Sequence, residues 1–113
     1  MKAVHSIASY LLIALGGVHT ALSPVFYGRL SPGALWFASA GLAMIFVGFL
    51  NVVLGRDAGR DAFVRALCYA ANLLTAAFGI LIVVVDAEPQ VLFGMLLIVT
   101  VTVTACLLKR PVP

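Results

Sequence analysis

Four apolar stretches alternate along the chain with three short polar interruptions. They cover about residues 3–28, 33–54, 62–85 and 90–108. A helix rises about 1.5 Å per residue, so each stretch is long enough to cross a hydrocarbon layer about 30 Å thick. Within each stretch the small and polar residues recur in steps of three and four. The first carries His5, Ser9, Leu12, Gly16, His19 and Ser23, and the second Ala34, Phe37, Gly41, Met44, Gly48, Asn51 and Gly55. The third carries Arg65, Cys68, Asn72, Thr75, Gly79 and Ile82, and the fourth Gln90, Gly94, Leu97, Val101, Thr104 and Leu108. This spacing draws one stripe down a helix at a period of about 3.5, the repeat of a left-handed packing seam.

Lipid is as apolar as leucine. Helices in a bilayer therefore associate through small residues that let backbones approach and through polar groups that bond across the contact. Four such stripes predict one all-α bundle of four transmembrane helices, a single domain over residues 1–113, with the stripes turned inward. Larger aliphatic residues such as Leu11, Ile45, Ile80 and Leu96 then face lipid.

Local signals set the helix ends. Pro24 lacks an N–H and should kink or end the first helix, and Tyr27 and Arg29 mark the interface beyond it. Ser31 followed by Pro32 reads as an N-cap and first-turn proline, and Trp36 sits where an indole meets headgroups. The central turn, GRDAGRDAFVR over residues 55–65, is the one run rich in charge; in it Asp61 reads as the next N-cap, and Arg65 can snorkel back to the same surface. Asp86 and Glu88 close the third helix, Pro89 opens the fourth, and Lys109 and Arg110 stop it. The fourth contains VTVTVT, which in water would suggest a strand. A lone strand in a bilayer leaves its backbone unpaired, so a helix is expected.

Composition strengthens this picture. The chain is 64% hydrophobic and 10% charged, against about 45–50% and about 25% in soluble domains. Of seven cations, Lys2, Arg56, Arg60, Arg65, Lys109 and Arg110 fall on one side of the predicted spans and only Arg29 on the other. The positive-inside rule then implies an up-down-up-down bundle with both termini and the central turn in the cytoplasm of a cell whose inner membrane holds the chain. The apolar N-terminal stretch is read as a retained first helix, not a cleaved signal. Although the sequence pI is 9.2, the cations sit at helix ends, where they serve topology and anionic lipid, so nucleic acid is not an expected partner. Cys68 and Cys106 lack metal-ligand spacing and are expected to be small buried packing residues.

Candidate chemistry is sparse. His19 lies a little past the middle of the first span, and Gly41 at matching depth on the second would leave space beside its imidazole. Ionisable groups at that depth are costly and often functional. His19, Gly41, Phe37, Asn72 and Thr75 are therefore the candidate ligand-binding residues, against a packing role in which His19 bonds a neighbouring carbonyl or Thr75. A second polar group, Tyr10, Asn51, Tyr69 and Asn72, is expected nearer the cytoplasmic side, with interhelical hydrogen bonds as its ordinary role. His5 and His19 share a stripe but stand about 21 Å apart along the axis, too far to ligate one haem. No span carries a central Asp, Glu or Lys, and no catalytic or metal-binding set is visible; the sequence names no cofactor.

In size and span count the chain is similar to small multidrug-resistance transporters, but it lacks their first-helix glutamate. The stretch LWFASAGLAMIFVGFLN, with the preceding GGVHTALSPVFY, resembles uncharacterised four-helix proteins of bacterial inner membranes. That resemblance covers part of the chain and implies a fold without an activity. The leading functional expectation is a non-enzymatic membrane protein that binds a small lipophilic molecule or lipid between its helices. The alternatives are a structural or accessory subunit of a membrane complex or homo-oligomer and, third, a small channel or carrier.

Overall fold

The computed structural model describes residues 1–108. The helices are α1 (Lys2–Ala21), α2 (Ser23–Phe26), α3 (Pro32–Leu54), α4 (Ala62–Val85) and α5 (Pro89–Leu107), with one 3₁₀ turn at Asp57–Arg60. The continuous run α1–α2 and the helices α3, α4 and α5 are each long and apolar enough to cross a membrane. Lys109 and Arg110, expected to stop the last helix, lie outside the described residues.

The ends follow local chemistry. The first segment is broken at Leu22, immediately before Ser23 and Pro24, and closes at Phe26, two residues short of the expected Gly28. Ser31 accepts from the Ala34 N–H at 3.1 Å, and Asp61 accepts from the N–H groups of Phe63 and Val64 at 2.8 and 3.1 Å. The Arg65 guanidinium turns back to donate to the carbonyls of Gly59 and Arg60, closing the turn before α4. VTVTVT is helical. Thr100, Thr102 and Thr104 each donate to a carbonyl one turn back, at 2.6–2.7 Å, which hides the hydroxyls without needing a partner strand.

The helices form a ring in which α1 and α4 each pack on both α3 and α5, and α1 and α4 do not meet. The closest approach is α1 on α3. A Cβ added at Gly16 would stand 2.5 Å from the Gly41 carbonyl oxygen. One added at Gly41 would collide with Thr20 Oγ1, and one at Gly48 with Ile13 Cγ1. Ala34, Gly41, Gly48 and Gly55 recur every seven residues, so one line of small residues on α3 meets the first span from Ser23 down to His5.

The predicted stripes are the inward faces along most of their length, but Ile82 and Gln90, near the ends of their helices where neighbouring helices no longer cover them, are exposed. His5, Ser9, Leu12, Gly16, Ala34, Gly41, Gly48, Asn51, Cys68, Asn72, Gly79, Gly94, Leu97, Val101 and Thr104 are all buried. Leu11, Ile80 and Leu96 are exposed as expected, but Ile45 is half-buried against Gly16 because the helices meet so closely there. Cys68 is buried, whereas Cys106 is on the outward face of α5, one position beyond the buried Ala105.

The interior is layered. Leu54, Cys68 and Ala105 form an apolar plug near the end that carries Lys2 and Arg56. A larger apolar core of Ala8, Leu12, Val47, Leu97, Ile98 and Val101 fills the middle. Between plug and core lies a layer of buried polar side chains.

The neighbouring glycines of the first span separate packing from propensity. Gly16→Ala and Gly41→Ala should each destabilise the fold by about 1–3 kcal/mol, because the backbones must move apart. Gly17→Ala, with nothing within 4 Å of the new methyl, should leave stability unchanged or slightly raised. Unfolding in dodecyl sulfate–detergent mixed micelles measures the contrast.

Candidate functional site

The polar layer is centred on His5, which is only 2% exposed. Its Nε2 lies 3.0 Å from the Asn51 carbonyl oxygen on α3, and its Nδ1 lies 2.9 Å from Thr104 Oγ1 on α5. A carbonyl only accepts, so Nε2 carries the hydrogen and donates. The Asn51 and Asn72 side chains exchange a reciprocal pair of amide bonds at 2.7 and 2.9 Å, which brings in α4. Thus α5, α1, α3 and α4 are joined in one hydrogen-bonded chain. Ser9 donates to the His5 carbonyl at 2.7 Å, and the Cys68 thiol donates to the Leu50 carbonyl at 3.4 Å.

The Thr104 hydroxyl has a single hydrogen and two acceptors within reach, the Thr100 carbonyl at 2.6 Å and His5 Nδ1. With Nε2 donating to Asn51, that one hydroxyl hydrogen is shared between the Thr100 carbonyl and His5 Nδ1.

Beside His5 a cleft of about 280 Å³ opens to the outside between the start of α1 and the end of α3. Lys2, Ser6 and Tyr10 line it from α1, and Asn51, Val52, Gly55 and Arg56 from the other wall, with His5 at its floor. It opens here because the two helices part. A Cβ on Gly55 would be 3.9 Å from His5 Cδ2, an ordinary contact, in contrast to the collisions at Gly41 and Gly48.

The expected residues separate into distinct places. His19 is half-buried with its ring flat on Phe37, centroids 3.8 Å apart, and Phe26 and Tyr27 close around Phe37 at 5.6 and 5.7 Å. The space opposite Gly41 holds Thr20 and the Gly16 carbonyl, not the imidazole. Thr75 donates to Ala71 in its own helix at 2.7 Å. Of the four-residue polar group, Asn51 and Asn72 come together. Tyr10 instead lines the cleft, 52% exposed, and Tyr69 packs against the plug of Leu54, Cys68 and Ala105. Sequence reasoning placed His5 and Thr104 on inward stripes but did not identify them as the centre. Their shared depth near one end of the first and last spans was the available signal. Among the described residues no three His, Cys, Asp or Glu side chains converge to hold a metal.

The asparagine pair can be tested by coupling. Asn51→Leu or Asn72→Leu alone strands a buried amide and should cost about 1–3 kcal/mol. The double substitution should cost less than the sum of the singles by about 0.6–1.7 kcal/mol, measured by a double-mutant cycle in mixed micelles. No protein-family model matches this chain, and no curated protein or solved structure matches it either.

Proposed function

We propose that this chain is a non-enzymatic, multi-pass protein of a bacterial inner membrane that binds lipid at the end of its bundle carrying Lys2 and Arg56. Its four spans run up-down-up-down. Both termini and the Asp57–Arg60 turn lie in the cytoplasm, and the turns after α2 and α4 lie outside. Six of the seven cations at one end support that orientation.

The observation that carries the lipid reading is the cleft between α1 and α3. It places cationic and hydroxyl groups at the mouth and hydrocarbon immediately above. Val52 is in its wall, and Phe49, one turn above, is 51% exposed. Such a boundary suits an amphiphile. At the opposite end the aromatic cluster around His19 acts in this reading as packing, since its ring already has an aromatic partner.

A second reading, an accessory subunit or homo-oligomer, is favoured by α4. Only Cys68, Asn72 and Gly79 are buried along its 24 residues, while Leu74 and Phe78 are 72% and 64% exposed.

Native mass spectrometry of protein released from mild detergent tests both readings. A retained lipid adduct is expected. Bare protein in an oligomer, or bound to a second polypeptide, would replace the lipid reading with the subunit reading. For topology, in a background lacking native cysteines, Ala87→Cys should react with impermeant maleimide from outside the cell, and Ala58→Cys should not. The reverse pattern would invert the orientation.

A further inference from the structure

The charges around the cleft are unbalanced. Lys2 and Arg56 approach it from opposite walls, Ser6 and Tyr10 add hydroxyl donors, and among the described residues neither cation has an ion-pair partner. The carboxylates of the following turn do not line it. Asp57 pairs with Arg60 at 3.7 Å, and Asp61 caps α4.

Helix ends of opposite dipole border this surface. α1 begins without a side-chain cap, so its first-turn N–H groups and the positive end of its dipole face the same surface. Carbonyls ending α3 would repel an anion if bare, and three of them are bonded. The Asn51 carbonyl accepts from His5 and Gly55, that of Val52 from Gly55, and that of Val53 from Arg56. Two cations, two hydroxyls and the start of a helix match the charge and hydrogen-bonding capacity of a phosphate, to which a guanidinium can bind through two parallel N–H groups. At about 280 Å³ the space lies at the small end of ligand pockets, so it suits a headgroup and not a whole lipid.

We infer that the cleft binds the phosphate of an anionic phospholipid, with Lys2 and Arg56 supplying charge, Ser6 and Tyr10 supplying hydrogen bonds, and the acyl chains lying on the outer sides of α1 and α3. This rests on the lipid-binding reading above and adds its headgroup class.

The test titrates delipidated protein in mild detergent with phosphatidylglycerol, phosphatidylcholine or inorganic phosphate and counts adducts by native mass spectrometry. Phosphatidylglycerol should bind about tenfold more tightly than phosphatidylcholine. Lys2→Gln and Arg56→Gln should each lower that affinity about fivefold, while Arg60→Gln, whose side chain does not line the cleft, should change it less than about twofold. Gly55→Leu fits the helical backbone there (φ −76°, ψ −5°), keeps both cations and fills the space, and should abolish the preference.

Equal affinity for the two lipids would overturn the headgroup assignment and leave lipid binding standing. Binding of neither lipid would remove both. Binding of inorganic phosphate without lipid would assign the site to a free anion and overturn the lipid source. Equal losses from Arg60→Gln and Arg56→Gln would show diffuse attraction in place of a site.

Discussion

The structure depends on the hydrogen-bonded chain that runs from Thr104 through His5 and Asn51 to Asn72. An imidazole or amide buried without a partner is costly. Each of these groups is paired across a helix boundary. The pairing fixes rotation and depth together. Turning any one helix by a fraction of a turn would part a buried polar group from its partner, whereas the aliphatic contacts alone would tolerate several arrangements. The layer lies between the apolar plug and the larger core, and the cleft reaches it at His5 and Asn51.

The line of small residues on α3 makes this layer possible. Glycine at 41 and 48 brings the α1 and α3 backbones into contact, and only at that distance can the His5 ring reach the Asn51 carbonyl of the main chain itself. The same line explains the cleft. Where contact loosens at Gly55, α3 ends and α1 begins, and the room left beside His5 is bordered by the cations that terminate both helices. Structural polar groups and a surface-facing charged site thus share one end of the bundle, with His5 belonging to both.

α4 is held differently. It joins the ring through Asn72, the Cys68 contact and Gly79 against Met95, and most of its length presents hydrocarbon outward. With no close backbone contact to α1, it is the helix whose position relies most on a few polar bonds.

Much of the fold was legible in the residues. Step lengths of three and four identified the inward face of every helix except at Ile82 and Gln90, which are exposed near helix ends, Ser31 and Asp61 announced two helix starts, and the threonines of α5 were helical because each could bond its own backbone. These are local properties, set by dihedral preference, capping and the cost of unpaired backbone groups, so the sequence by itself determined them. It could not determine which stripe faces which. Periodicity gives an angle around one axis but carries no information about the neighbouring helix. For that reason His19 drew attention at mid-span, although it stacks on Phe37 near one end of the bundle, while His5 lies at the centre of the polar layer. Ile45 and Cys106 moved from their expected surroundings for the same reason, since burial depends on how near the next helix comes. The ring order of the helices, the joining of His5 to Thr104 across 99 residues and the cleft at Gly55 were decided only by tertiary packing, where backbone separation and shared depth are set by all four helices at once.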